Sequence, residues 1–301
     1  MRHRRHVFSA AVMVIGFILA NAAAFAADGY ARPGLLIETD ELARLAGQPG
    51  TRIIDAADPV SYGRAHIPGA VNIHYLELAK LDERRKNGHP LSNAEAERIF
   101  GDAGIDANTQ VVVYDDGTGP AASGVWFALD FFGHGKVRVL NGGFRKWLKE
   151  GRPVTQDAPA VEKKRFTANP DPDRIVTREW VRKHLRNKDI VFVDTRSFNE
   201  YIGADLRPGI SRGGHLPGAL HLEWSRFSDS ALTYKPAQDI EKALAQRGIT
   251  RHTRVVTYCG TGLGRSTSVA LAMKLIGYDN VVEYTGSWEE WSADPRLPLE
   301  K

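Results

Sequence analysis

Across most of its length the 301-residue chain repeats itself, and that constrains its fold more than any single motif. Residues 111–114 (VVVY), followed by Asp115 and a glycine-rich stretch, recur as residues 255–258 (VVTY), followed by Cys259 and another glycine-rich stretch. Gly133, Gly142 and Trp147 recur as Gly277, Gly286 and Trp291, all at an offset of 144 residues. Upstream, residues 53–55 match 192–194, and His66 to Ala70 match His215 to Ala219. There the spacing differs by ten residues, an insertion around positions 203–211. Two copies of one unit need a unit that buries its own core, and about 150 residues per copy is enough.

Each copy reads as α/β. Short β-branched runs (53–54, 111–113, 137–139, then 190–193, 255–257, 281–282) alternate with amphipathic stretches of helical length. Such alternation predicts parallel strands with helices on both faces. Between the copies, residues 151–173 carry Pro153, Pro159, Pro170 and Pro172 with a charged cluster at 162–165. Proline withholds a donor and fixes φ, so this stretch reads as a linker, and Lys163, Lys164 and Arg165 as solvated charges within it. The expected divisions are 1–26, 27–150, 151–173 and 174–301.

Residues 1–26 have the pattern of a cleaved export signal. Arg2, Arg4 and Arg5 precede an acid-free apolar run from Val7 to Ala20, and small residues end at Ala24, Phe25 and Ala26. The run is too short for a comfortable membrane span of about 20 residues. The expectation is an exported protein, periplasmic or secreted, with no stable membrane association after cleavage. Its loss removes three arginines from a formal charge of +4, leaving a chain close to neutral and no case for a nucleic-acid partner. The single cysteine rules out an internal disulfide, an all-cysteine zinc site and an iron–sulfur cluster. Nothing in the sequence calls for a metal or cofactor.

The chemistry gathers at Cys259. It follows an apolar strand and opens the loop Gly260, Thr261, Gly262, Leu263, Gly264, Arg265, after which a helical pattern runs from Ser266 to Ile276 and stops at Gly277. Three glycines let the backbone turn its N–H groups inward as an anion-binding nest. A helix N-terminus and Arg265 add positive charge. All three favour thiolate over thiol, which suits a nucleophile.

With these residues the chain resembles the tandem-domain rhodanese sulfurtransferases. Tyr62, His66, Ile67, Pro68, Gly69, Ala70 and Ile73 resemble the family's N-terminal signature. Val281, Tyr284, Gly286, Ser287, Trp288, Glu290 and Trp291 resemble its C-terminal one, with Thr285 a departure. Asp194, Thr195 and Arg196 resemble its aspartate–x–arginine strand end. The resemblance implies two rhodanese-like α/β domains, each a parallel sheet with helices on both faces. Only the second is catalytic, because Asp115 stands where Cys259 would be and Ala57 where Arg196 would be. It implies transfer of a sulfane sulfur from thiosulfate or 3-mercaptopyruvate to cyanide or a thiol through a persulfide on Cys259. The loop from Gly260 to Arg265, together with Arg196, would bind the donor. His66 and His215 read as structural, and Trp126, Trp147, Trp224, Trp288 and Trp291 as packing rather than a ligand cage.

Two other readings stay open. The spacing from Cys259 to Arg265, followed by Ser266, also matches the cysteine–five residues–arginine loop of phosphatases, with a nest wide enough for a phosphate or arsenate dianion. Tyr258 stands where that loop has histidine. The same reactive thiol would equally serve a non-catalytic persulfide carrier or thiol sensor.

Overall fold

The computed structural model describes residues 28–78, 90–117 and 119–301, so the expected export segment lies outside the described residues. Nine strands form two all-parallel sheets among the described residues. The first contains β1 (Leu36–Ile37), β2 (Thr51–Asp55), β3 (Ala70–Asn72), β4 (Gln110–Tyr114) and β5 (Val137–Leu140), in spatial order β1-β5-β4-β2-β3. The second contains β6 (Ile190–Asp194), β7 (Leu220–His221), β8 (Arg254–Tyr258) and β9 (Val281–Glu283), in order β7-β6-β8-β9. The α/β class read from the alternating pattern is the one observed.

Register repeats along with topology. Asp55 pairs with Tyr114 in the first sheet as Asp194 pairs with Tyr258 in the second. The second sheet is one strand shorter because Ile175, placed where β1 would add, makes only a single parallel bridge to Glu283.

The longer helices among the described residues are α1 (Asn93–Asp102), α2 (Pro120–Phe131), α3 (Ala237–Ala245) and α4 (Arg265–Leu275). Ser92 caps α1 with a reciprocal bond to Glu95, and α4 ends at Gly277, whose φ of +87° suits a residue without a Cβ. Helices α2 and α4 follow equivalent strands and pack on each other between the sheets. One continuous core therefore spans both repeats, joining Val111 and Trp126 to Val255 and Met273. Smaller apolar clusters around Trp147 and around Trp288 and Trp291 cover the two outer sheet faces. Every residue of α4 after Arg265 is buried, so this helix has no solvent face to be amphipathic about.

Small side chains allow the α2–α4 approach. Ser123 Oγ lies 3.1 Å from both the Gly264 carbonyl and Thr267 Oγ1. A Cβ at Gly124 would lie 3.4 Å from Tyr75 and 3.5 Å from the Gly264 nitrogen.

The proline-rich segment between the repeats lies along the first one. Thr155 and His66 form an antiparallel bridge, Lys164 N donates to the Gly101 carbonyl, and Phe166 enters the shared core. Near the other end of the chain Glu300 bridges His215 in the same way. Both histidines are buried, stack on Tyr62 and Tyr201 and bond to backbone carbonyls, which is structural work.

The Gly124 contact yields a paired test. Gly124→Ala fits with ordinary contacts and gains helix propensity, so its unfolding midpoint in urea should stay level or rise. Gly124→Leu must push α2 from α4 and should cost about 1–3 kcal/mol.

Candidate active site

The carboxyl ends of β6 and β8 lie side by side at the centre of the second sheet, the usual place for a site in a parallel α/β fold. Cys259 is the first residue past β8 and only 2% exposed. Its amide donates to Ser287 Oγ at 3.1 Å, and its thiol donates to the Gly262 carbonyl at 2.9 Å. Trp288 N and Glu289 N donate to the carbonyls of Cys259 and Gly260, which ties the start of the loop to the Ser287–Ala293 helix.

Two loop glycines are required by geometry. Gly262 has φ +101°, and a Cβ there would fall 2.4 Å from the Thr285 carbonyl; Gly264 has φ +118° and faces Tyr75 of the first repeat. Ser266 Oγ donates to the Gly262 carbonyl at 2.8 Å, and Gly264 N donates to Thr267 Oγ1. The amides of Gly260, Thr261, Gly262 and Leu263 find no acceptor among the described residues.

The first repeat shows what such a nest holds. Asp115, at the position of Cys259, is 3% exposed, and its carboxylate accepts from the amides of Gly117, Gly119, Ala121 and Ala122 at 3.0–3.1 Å. Burial raises its proton affinity while those four bonds pull it back. The first nest is filled by its own carboxyl group, and in the second Cys259 takes no amide in this way.

Arg265 lies over the loop, close enough that a Cβ on Gly260 would be 3.0 Å from its Nη2. Both Nη atoms donate to Glu200, at 2.6 and 3.0 Å. Burial alone would raise the Glu200 pKa, but the hydrogen bonds and charge of Arg265, backed by Ser197, bring it down to about 2. Arg207, on the inserted stretch at 203–211, reaches the same carboxylate at 3.3 Å, leaving two cations to one anion. Glu200 takes one N–H from each Nη, which fixes the guanidinium and leaves its charge and remaining N–H groups beside the loop.

Arg196 is not brought to the loop as a donor ligand. It is 2% exposed, forks onto Asp194, donates to the Gly214 carbonyl at 2.7 Å and stacks 4.8 Å from the Trp288 ring. Two of its three nitrogens, Nε and Nη2, are thus taken by Asp194 and the Gly214 carbonyl, which gives Arg196 a structural role at the end of β6.

Three contributors escaped the sequence reading. Glu200 belongs to a capping box with Ser197, a pattern that announces a helix start but not a grip on Arg265. Ser287 holds φ +53° where the first repeat has Gly143 at +56°, a strain of about 1 kcal/mol retained beside the nucleophile. Tyr75, from the first repeat, feels the charges of Cys259 and Arg265, although burial is the larger reason for its raised pKa.

Known proteins share the two-copy sequence and the fold. The rhodanese-like domain family matches residues 38–150 and again 177–294. The thiosulfate sulfurtransferase of Pseudomonas aeruginosa is 32% identical over 267 residues, covering 88% of this chain and 97% of that one. The sulfur carrier protein TtuD of Thermus thermophilus is 31% identical over 290 residues, covering 91% and 99%. Among solved structures, an EanB variant with a cysteine persulfide and ergothioneine superposes with a TM-score of 0.79 at 26% identity, over 90% of this chain and 71% of that one.

The Glu200–Arg265 pair predicts a pH-dependent penalty. Glu200→Gln should lower stability in urea by about 2 kcal/mol at neutral pH, at the low end for a buried pair because Arg265 keeps 20% of its side-chain surface. The depressed Glu200 pKa means the native pair is fully stabilising above its ordinary value of 4.5 and lost as pH falls toward 2. The gap between wild type and variant should narrow across that window.

Proposed function

Because the chain belongs to the rhodanese-like family, whose domain it carries twice, we propose that Cys259 takes a sulfane sulfur from thiosulfate or 3-mercaptopyruvate and passes it on as a persulfide. The protein is a sulfurtransferase, as its relatives named thiosulfate sulfurtransferase indicate. The observation that carries the finer reading is the contrast between the two nests: Asp115 takes four amides of its own loop, whereas the amides around Cys259 are open.

The Cys259 thiolate attacks the outer sulfur of thiosulfate, the sulfur–sulfur bond breaks, and sulfite leaves with the electron pair. With 3-mercaptopyruvate the carbon–sulfur bond breaks instead, and the departing enolate of pyruvate takes a proton from water. A thiol or cyanide acceptor then attacks the terminal sulfur and regenerates the thiolate. The open amides stabilise charge on the persulfide and donor, with the Arg265–Glu200–Arg207 cluster adding a net positive field. Gly260 and Thr261 after the cysteine suit a mercaptopyruvate enzyme, and Arg265 suits thiosulfate, so both donors belong in the assay. Export, periplasmic or beyond, is part of the same proposal, and the N-terminal sequence of the secreted protein tests it.

A carrier that loads sulfur without turning over is the second reading, supported by likeness to a sulfur carrier protein. Turnover with excess donor and thiol acceptor separates it from the enzyme.

Intact mass after incubation with each donor is the primary test. Wild type should gain one sulfur and Cys259→Ala none; no gain with either donor would refute the persulfide. Arg265→Ala should load at least about tenfold more slowly at low donor, the scale for one lost charge-assisted contact, and unchanged loading would remove Arg265 from the site.

A further inference from the structure

Beneath the cysteine loop the two repeats differ in residues that the sulfur transfer itself does not use. In the first repeat Val113 pairs with Val139 between β4 and β5, and both are buried, as is Ala122 at the start of α2. At the 144-residue offset the counterparts are Thr257, Glu283 and Ser266, equally buried but polar. Thr257 pairs with Glu283 between β8 and β9, and Thr257 Oγ1 donates to Glu283 Oε2 at 2.6 Å. The Ser266 hydroxyl faces the same carboxyl. Ser266 Oγ donates to the Gly262 carbonyl at 2.8 Å, and that carbonyl accepts the Cys259 thiol at 2.9 Å. Glu283 is 0% exposed, and its Oε1 has no hydrogen-bond partner among the described residues. A carboxyl so placed destabilises the fold relative to valine, yet it stands in the repeat that has the cysteine.

We propose that Glu283 is a positioning residue for sulfur loading, fixing Ser266 and through it the Gly262 carbonyl that receives the Cys259 thiol. The inference rests on the persulfide reading of Cys259. Burial pushes the Glu283 pKa up to about 8 against the opposing hydrogen bonds of Ser266 and Thr257, so the group is neutral at pH 7. A neutral carboxyl can present its proton to Ser266 Oγ, which leaves the serine proton to the Gly262 carbonyl. Of the elements packed on β9, β8 presents Thr257 and α4 presents Ser266. Lys274 of α4 and Arg174 of the turn at Pro172–Arg174 both pair with Asp130, and no charged side chain among the described residues acts on the carboxyl. Once ionised, Glu283 would draw the Ser266 proton to itself and place a negative charge beneath a loop that must hold a thiolate.

The test follows persulfide formation with thiosulfate, and separately iodoacetamide alkylation of Cys259, across about pH 6 to pH 10 in wild type, Glu283→Gln and Glu283→Val. Wild-type loading should decline above about pH 8. Glu283→Gln, which keeps an acceptor for Thr257 and can turn a donor toward Ser266 but cannot ionise, should recover most of the loading and lack the decline. Glu283→Val, the residue of the first repeat, should load about tenfold more slowly with less than a twofold change in half-saturating donor. If that variant does not fold, Ser266→Ala breaks the same chain at its middle and should be slowed alike. A glutamine variant with the wild-type decline, or a valine or Ser266→Ala variant with the wild-type rate, overturns the proposal. Alkylation needs no donor, so its profile keeps the two ideas apart. Altered alkylation in the variants with no persulfide on wild type refutes only the persulfide. A wild type that loads, beside variants unaltered in both profiles, refutes only the role of Glu283.

Discussion

A negative charge buried at the carboxyl end of a central parallel strand is best met by backbone N–H groups, because burial strips it of bulk solvent and the loop that follows supplies amides at short range. Both halves of the chain obey this constraint at the same place, after β4 and after β8. In the first half the group that meets the amides is the Asp115 carboxyl, so the loop closes on itself as a finished piece of structure. In the second half the charge is conditional. Under the proposed function it arrives with the sulfur donor. The inverted glycines, the strained Ser287 and the anchored Arg265 all shape the loop around Cys259.

The surroundings hold that loop in place. Helix α4 is buried on every side, the first repeat closes its outer flank through Ser123 and Tyr75, and Glu200 holds the guanidinium that would otherwise swing into solvent. The repeat without the nucleophile therefore has a physical task at the site of the repeat that has it. Valine, alanine and glycine in the first copy mark positions that only packing governs. Threonine, serine and glutamate in the second mark where hydrogen bonds have been placed under the loop.

Much of this is legible in the sequence because the strongest signals are local. Residues 111–113 and 255–257 announce central strands by β-branched content, and Cys259 with its glycines announces a strand–loop–helix nest. The strands β1, β3 and β7, two or three residues each, leave no periodic trace and exist because a neighbouring strand offers an edge. Pairings across long separations are silent as well. Nothing near Arg196 says that its fork is filled by Asp194 and the distant Gly214 carbonyl, and nothing near Arg265 points to Glu200, 65 positions earlier. The insertion at 203–211 is visible as a length difference, while the placement of Arg207 on Glu200 depends on how that insertion folds back.

The joint between the halves also lies beside the sulfur. Gly264 is wedged between Tyr75 and Pro120 of the other repeat, and Tyr75 also feels the charge of Cys259, the only thiol in the chain. Any breathing that parts α2 from α4 must loosen this corner, whereas fluctuations confined to the outer faces leave it untouched. The protein thus carries its own chemical clock. The rate at which a bulky electrophile marks its one sulfur, compared with a small one, reads how often the two copies come apart in the native state, with no label to introduce and no second cysteine to confuse the count.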